Sequence, residues 1–222
     1  MATGERVLLL TRPEAQSRVF LAEFQARLGR GVSSVISPVM RIVPVKSGRD
    51  LSRYATIIVT SSNAVSRDLA GRRVVTVGEK TAAKAQAAGA EARCLGETVD
   101  AFLKRIAEVR LPALYLHGVH TRGDMVERAR SRGVVVDEAV VYDQAEIALT
   151  QAAQDALASG RALVPLFSPR SAALVAAYRV APGTRVVAIS EATADAWTAP
   201  GEVMVALHPD QAAMLEAVAE AF

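Results

Sequence analysis

Thr60-Ser61-Ser62-Asn63-Ala64-Val65 and, 107 positions later, Phe167-Ser168-Pro169-Arg170-Ser171-Ala172 share one design. In each, a β-prone apolar run ends at a cluster of small hydroxyl residues, and apolar residues resume at helical spacing. That is the pattern of a strand turning into a helix. Further pairs lie on either side in the same order. Leu10 and Leu116 each end an apolar run at an offset of 106; Val77-Gly78-Glu79-Lys80-Thr81-Ala82 resembles Ile189-Ser190-Glu191-Ala192-Thr193-Ala194 at an offset of 112; Thr98 and Asp210, each placed to cap a final helix, keep that offset. Four ordered anchors make the chain two copies of one α/β unit. A length of 222 residues is enough for two small domains with working cores.

Between the anchors the periodicity alternates. Arg6 to Thr11 reads as a buried strand, and Pro13 to Leu28 as a helix carrying Val19, Phe20, Phe24 and Leu28 on one side. Gly29 stops that helix, and Thr11 and Glu14 have the spacing of a capping box at its start. Strands are predicted at 32–37, 56–60, 74–77, 92–94, 114–117, 134–141, 163–167, 186–189 and 203–207. Helices are predicted to begin at Ser62, Glu79, Val99, Arg122, Pro169, Glu191 and Asp210. Strands alternating with such helices indicate βαβ units and parallel sheets. The repeat leaves the pairing open: one copy folds before the other, or the chain crosses between lobes at Pro38 to Pro44 and back at Val140 to Gln144.

Composition narrows the function. Hydrophobic residues are 51%, charged residues 22% and aromatics 5%, which excludes disordered and collagen-like chains. No apolar run approaches the ~18 to 20 residues of a membrane span, and the first residues lack a signal-peptide profile, so a cytoplasmic protein without membrane association is expected. Cys94, the single cysteine, has no disulfide partner. With histidines only at 117, 120 and 208 no Cys/His metal cluster is expected, and His117 and His120 read as loop residues. A net charge of +3 without long basic runs gives no support to nucleic-acid binding, while a polyanionic small molecule is compatible with it.

Six junctions carry the polar residues: the turns at Thr11-Arg12, Thr60-Ser61-Ser62 and Gly78 to Thr81, and their counterparts at His117-Gly118, Ser168 and Ser190 to Thr193. In parallel sheets such turns lie at the carboxyl ends of the strands, where open α/β folds bind ligands. Free N–H groups at helix starts there attract anions. Singly, each is also an ordinary helix cap. Neither glycine-rich nucleotide loop is present, which weakens a Rossmann-type enzyme using nicotinamide or S-adenosylmethionine. There is no nucleophile elbow and no Ser, His and Asp set.

The whole chain resembles the uroporphyrinogen-III synthase family. The resemblance rests on the order and spacing of Thr11-Arg12-Pro13, Thr60 to Val65, Val77 to Ala82 followed by Gly89, Gly118, Val140-Val141-Tyr142, Phe167-Ser168-Pro169, Ala188-Ile189 with Thr193-Ala194, and His208-Pro209-Asp210. It implies an α/β fold of two parallel-sheet, flavodoxin- or Rossmann-like lobes joined by a two-stranded β-ladder hinge. Residues 1–37 and 146–222 would form lobe one and 44–138 lobe two, with 38–43 and 139–145 as hinge linkers and the substrate between the lobes.

The implied activity cyclises hydroxymethylbilane to uroporphyrinogen III, with loss of water and inversion of the last pyrrole ring. The pyrroles supply the electrons, so the enzyme's part is positioning and acid assistance, without cofactor or metal, by a monomer. Tyr142 matches the family tyrosine that assists hydroxyl departure, and a phenol is a neutral donor at pH 7. Thr193 matches a substrate-binding threonine at a helix start. Thr11, Arg12, Ser61, Ser62, Gly78, Thr81, Gly118 and Ser168 complete the candidate substrate-binding set. Arg12, Arg122 and Arg170 stand beside the turns, with the fork geometry that suits carboxylates. One departure is Ser190-Glu191 before Thr193, which puts an acid near an anionic substrate. The alternative function is a two-lobed module that binds a small anion or tetrapyrrole without chemistry.

Overall fold

A computed structural model describes residues 6–121 and 124–222. Along the chain the strands are β1 (Val7–Leu10), β2 (Ser34–Ile36), β3 (Met40–Pro44), β4 (Thr56–Val59), β5 (Arg73–Val77), β6 (Glu91–Gly96), β7 (Ala113–Gly118), β8 (Asp137–Glu146), β9 (Ala162–Leu166), β10 (Arg185–Ala188) and β11 (Glu202–Val205). The helices are α1 (Glu14–Leu28), α2 (Glu79–Ala87), α3 (Val99–Lys104), α4 (Met125–Arg130), α5 (Gln151–Ala158), α6 (Pro169–Ala176), α7 (Glu191–Asp195) and α8 (Gln211–Ala221). No helix among the described residues is long and apolar enough to cross a membrane. The chain divides into two compact units, Met1–Arg41 with Glu146–Phe222, and Ile42–Ala145.

The first unit is a five-stranded sheet in the order β11-β10-β9-β1-β2, and every pair in it is parallel. Side chains on a strand alternate between faces, so each apolar run is buried on both. Leu9, Val164 and Val186 meet α5 and α6 through Leu157 and Val175. Leu8, Leu10, Leu163 and Val187 meet α1 and α8 through Phe20, Phe24, Met214 and Val218. β1 and β9 stay in register only at Val7↔Ala162 and Leu8↔Leu163, whereas β9 and β10 stay paired to Leu166↔Ala188. Pro165, which has no N–H for the ladder, lies two residues beyond the last β1 partner, Leu163. This is the point where the strand order reverses.

The second unit has a six-stranded sheet, β3-β8-β7-β4-β5-β6, parallel at β4–β5, β4–β7, β5–β6 and β7–β8. Without β3, its order β8-β7-β4-β5-β6 is that of β2-β1-β9-β10-β11. The internal repeat pairs the same strands: β7 with β1, β4 with β9, β5 with β10. One spatial plan is therefore reached by two circularly permuted chain orders. Ile58, Val75 and Tyr115 pack with α3 and α4, while Ile57, Val59, Leu114 and Leu116 pack with Ala85 of α2. The hydrogen bonds Ile147 N–H to Val39 O (3.0 Å) and Val45 N–H to Val141 O (2.9 Å) run with opposed numbering, so β3 is antiparallel to β8. The chain passes between units along these two strands.

Several local expectations are corrected. No α-helix follows Ser62: 62–64 and 67–69 are single 3₁₀ turns, because Ser61 and Ser66 accept the N–H groups of Asn63 and Asp68 and hold the chain in short local turns. No capping box forms at α1, where Pro13 is the cap and makes no side-chain bond. The helix expected over 99–109 ends at Lys104 and closes with a 3₁₀ turn. The expected start at Arg122 lies outside the described residues, and α4 begins at Met125. β8 starts at Asp137 and continues unbroken to Glu146. Thr98 and Asp210 do cap their helices, accepting the N–H groups of Ala101 and Ala213.

Candidate functional site

In the second unit the candidate residues fall on neighbouring strands. Tyr142 is on β8, Gly118 ends β7, Ser61 and Ser62 follow β4, and Gly78 and Thr81 follow β5. The β7–β8 register shifts between His117↔Val140 and Gly118↔Tyr142, so β8 carries an extra residue there. The bulge sets the Tyr142 ring against Gly118. A Cβ at residue 118 would lie 2.5 Å from Tyr142 Cε2 and 3.0 Å from its hydroxyl. The Val119 N–H donates to Tyr142 O (3.0 Å) and fixes the backbone. The ring is buried, and its hydroxyl makes no hydrogen bond among the described residues.

Tyr142 also lines a cavity of about 680 Å³ whose walls include Ile42, Val65, Leu116 and Val141. Polar and charged groups, among them Lys46, Arg49, Asn63 and Asp68, share the lining with these apolar walls, and a pocket of this size with apolar walls and convergent polar groups is typical of small-molecule sites. Gly78 caps α2 at φ +79°, a conformation that suits glycine, and its N–H donates to Gly96 O at 2.9 Å. Thr81 is buried in the first turn of α2. Ser61 caps the turn after β4, and the Ser62 carbonyl accepts from Lys84 Nζ at 2.7 Å.

Residues that the sequence reading passed over surround this edge. The Tyr115 hydroxyl and Thr60 Oγ1 are 2.9 Å apart, joining β7 to the turn after β4. Burial pushes the Tyr115 phenol up from its ordinary value, and the Thr60 bond opposes that shift. His117, read as a loop residue, lies within β7, one residue before its end: its ring stacks on Tyr115 at 4.9 Å, its Nδ1 lies 2.8 Å from Gly118 O and its Nε2 3.5 Å from Glu138. His120 approaches Asp143 at 3.7 Å. The sequence signal for these residues is one aromatic and two histidines along β7 and its exit; their partners on β8 emerge only from strand order.

In the first unit Thr11 and Arg12 follow β1, Ser168 follows β9 and Thr193 follows β10, again on adjacent strands. Arg12 lies across the opening between β1 and β9, its guanidinium 4.0 Å from the Phe167 ring centroid and its Nε 3.0 Å from Gln16. Burial lowers its pKa, and no carboxylate pairs with it among the described residues. Ser168 caps α6, accepting the Ser171 N–H at 3.1 Å. Arg170 Nη2 meets Glu146 at 3.2 Å. Thr11 and Thr193 are buried, and the Thr193 hydroxyl is 3.1 Å from that of Ser190, which is half-buried at the edge. Glu191 is exposed in the first turn of α7, where the helix dipole favours an acid.

Glu79, Cys94 and Glu97 bring donor atoms within 4.8 Å of one another beside Gly78. Both glutamates are exposed, and Cys94 Sγ lies 3.4 Å from Gly96 O.

A family model described as Uroporphyrinogen-III synthase HemD matches residues 22–216. A uroporphyrinogen-III synthetase crystal structure from Helicobacter pylori superposes with a TM-score of 0.71 and 16% identity, over 99% of this chain and 100% of that one. A mutant uroporphyrinogen III synthase from the extremely thermophilic bacterium Thermus thermophilus superposes with a TM-score of 0.54 and 15% identity, over 98% of both chains. No curated protein sequence matches the chain at significance.

Proposed function

The chain belongs to the uroporphyrinogen-III synthase family, and from that premise we propose that it cyclises hydroxymethylbilane to uroporphyrinogen III as a lyase that eliminates water. The observation that carries this reading is the Tyr142 phenol, held against Gly118 on one side and lining an apolar cavity on the other. Loss of the substrate hydroxyl needs a proton donor while the pyrroles push electrons out. A phenol with no hydrogen-bond partner among the described residues is placed to be such a donor. The polar turns at the carboxyl edges supply N–H and hydroxyl groups for the substrate's carboxylates. Arg12 adds a cation whose planar face is already fixed on Phe167, which limits the rotamer entropy lost on binding.

Thr193 acts in this reading through Ser190, the more exposed member of their hydroxyl pair. The test is direct: supply freshly generated hydroxymethylbilane and separate the uroporphyrin isomers after oxidation. The type III isomer in excess over the spontaneous type I supports the enzyme. Type I alone, with the tetrapyrrole bound, would leave a binding module.

A further inference from the structure

Two cations at the rim of the Tyr142 cavity have no part in the chemistry above. Lys46 and Arg49 lie on the segment leaving β3, and Gly48 between them turns the chain at φ +65°. The Arg49 N–H donates to Ser47 Oγ at 3.3 Å, which ties the turn together. Both side chains line the cavity, and neither forms an ion pair among the described residues. The acid on the same rim, Asp68, is engaged with Ser66 at 3.3 Å. The cavity thus has apolar walls, a phenol, and a lining that carries two cations to one carboxylate, a net positive charge.

We infer that this cavity takes one carboxylate-bearing pyrrole ring, the ring that loses its hydroxyl, and that Lys46 and Arg49 hold one of its two carboxylates. The inference rests on the proposed function for the identity of the ring. A flat, weakly polar ring suits walls such as Val65 and Leu116. An acidic side chain of the ring that enters the cavity needs a charged partner that still reaches water, because a buried unpaired carboxylate would be costly. Arg49 offers a planar fork to a carboxylate and Lys46 a mobile point charge. Placed this way, the ring's departing hydroxyl is brought toward Tyr142 by a contact distant from the reacting carbon. Such an interaction is made equally in the bound and transition states, so it acts on KM and not on kcat.

The experiment compares the full chain with the K46A/R49A double variant, and with K46R/R49K as the charge-preserving control. Two quantities are read: steady-state kinetics of type III isomer formation, and the Kd for uroporphyrinogen III. Both residues are exposed, so far-UV circular dichroism should be unchanged. The inference predicts that K46A/R49A raises KM and Kd about tenfold, the worth of one charge-assisted contact, with kcat within about twofold. K46R/R49K should stay within about threefold of wild type. If the wild-type chain makes type III isomer but neither KM nor Kd moves in K46A/R49A, the inference fails and the enzyme reading stands. If the wild-type chain makes only type I isomer, the enzyme reading fails, and the Kd comparison alone upholds or overturns the cation pair.

Discussion

Gly118 and Tyr142 face each other across the β7–β8 bulge so closely that no side chain fits at 118: a Cβ there would sit 2.5 Å from Tyr142 Cε2 and 2.6 Å from Cζ. Gly118 is not at positive φ, so its lack of a side chain serves this contact and not a turn. Gly118→Ala should therefore displace the ring, costing about 1 to 3 kcal/mol as an overpacked site and moving the phenol from the cavity. Urea unfolding with an activity assay checks both; an alanine variant of native stability and rate would mean the strands slide to admit the methyl.

Tyr142→Phe separates the hydroxyl from the ring. The ring keeps its packing on Gly118, and the missing hydroxyl leaves no group among the described residues without a partner, so stability should stay within about 0.5 kcal/mol. Loss of the proton donor should slow type III isomer formation about 100-fold. An unchanged kcat with unchanged isomer ratio would remove Tyr142 from the chemistry.

The contrast between these two residues shows what a sequence reveals. Leu8-Leu9-Leu10 and Ile57-Ile58-Val59 are legible as strands buried on both faces, because continuous apolar runs bounded by hydroxyl turns have few other folded states. The repeat is legible for the same reason, and its paired segments hold equivalent places in the two sheets. Ser62 misleads because hydroxyl side chains compete for backbone N–H groups, an outcome decided locally and not by apolar spacing. Tyr142 is visible only through family resemblance; by composition it is one tyrosine in a β-prone run. Tyr115, His117, Lys46 and Arg49 gain meaning only when β8 lies beside β7 and β3 beside β8, and no periodicity encodes those neighbours.

Tyr115 provides a pH signature for this edge. Burial raises its pKa, so the folded chain holds the phenolic proton more tightly than the unfolded chain. The stability it contributes is complete below the unfolded value, ordinarily about 10, and is lost as pH rises through the folded value. Unfolding free energy should accordingly fall more steeply with pH above about 10 in wild type than in Tyr115→Phe. Equal slopes would place the phenol in contact with water.

Thr193 and Ser190 pose the last test, since Thr193 is buried and its hydroxyl lies 3.1 Å from that of Ser190. If Thr193 works by orienting Ser190, Thr193→Val and Ser190→Ala remove one function between them. Each should raise KM by a similar factor, about threefold to tenfold for a neutral hydrogen bond, and the double variant should be no worse than either alone. Thr193→Ser keeps the hydroxyl and should restore KM while losing about 1 kcal/mol of stability through the vacated methyl. That split between binding and stability distinguishes an orienting hydroxyl from a packing one. Additive KM effects in the double variant would show that the hydroxyls act independently, and rearrangement of α7 would then have to expose Thr193 to the substrate.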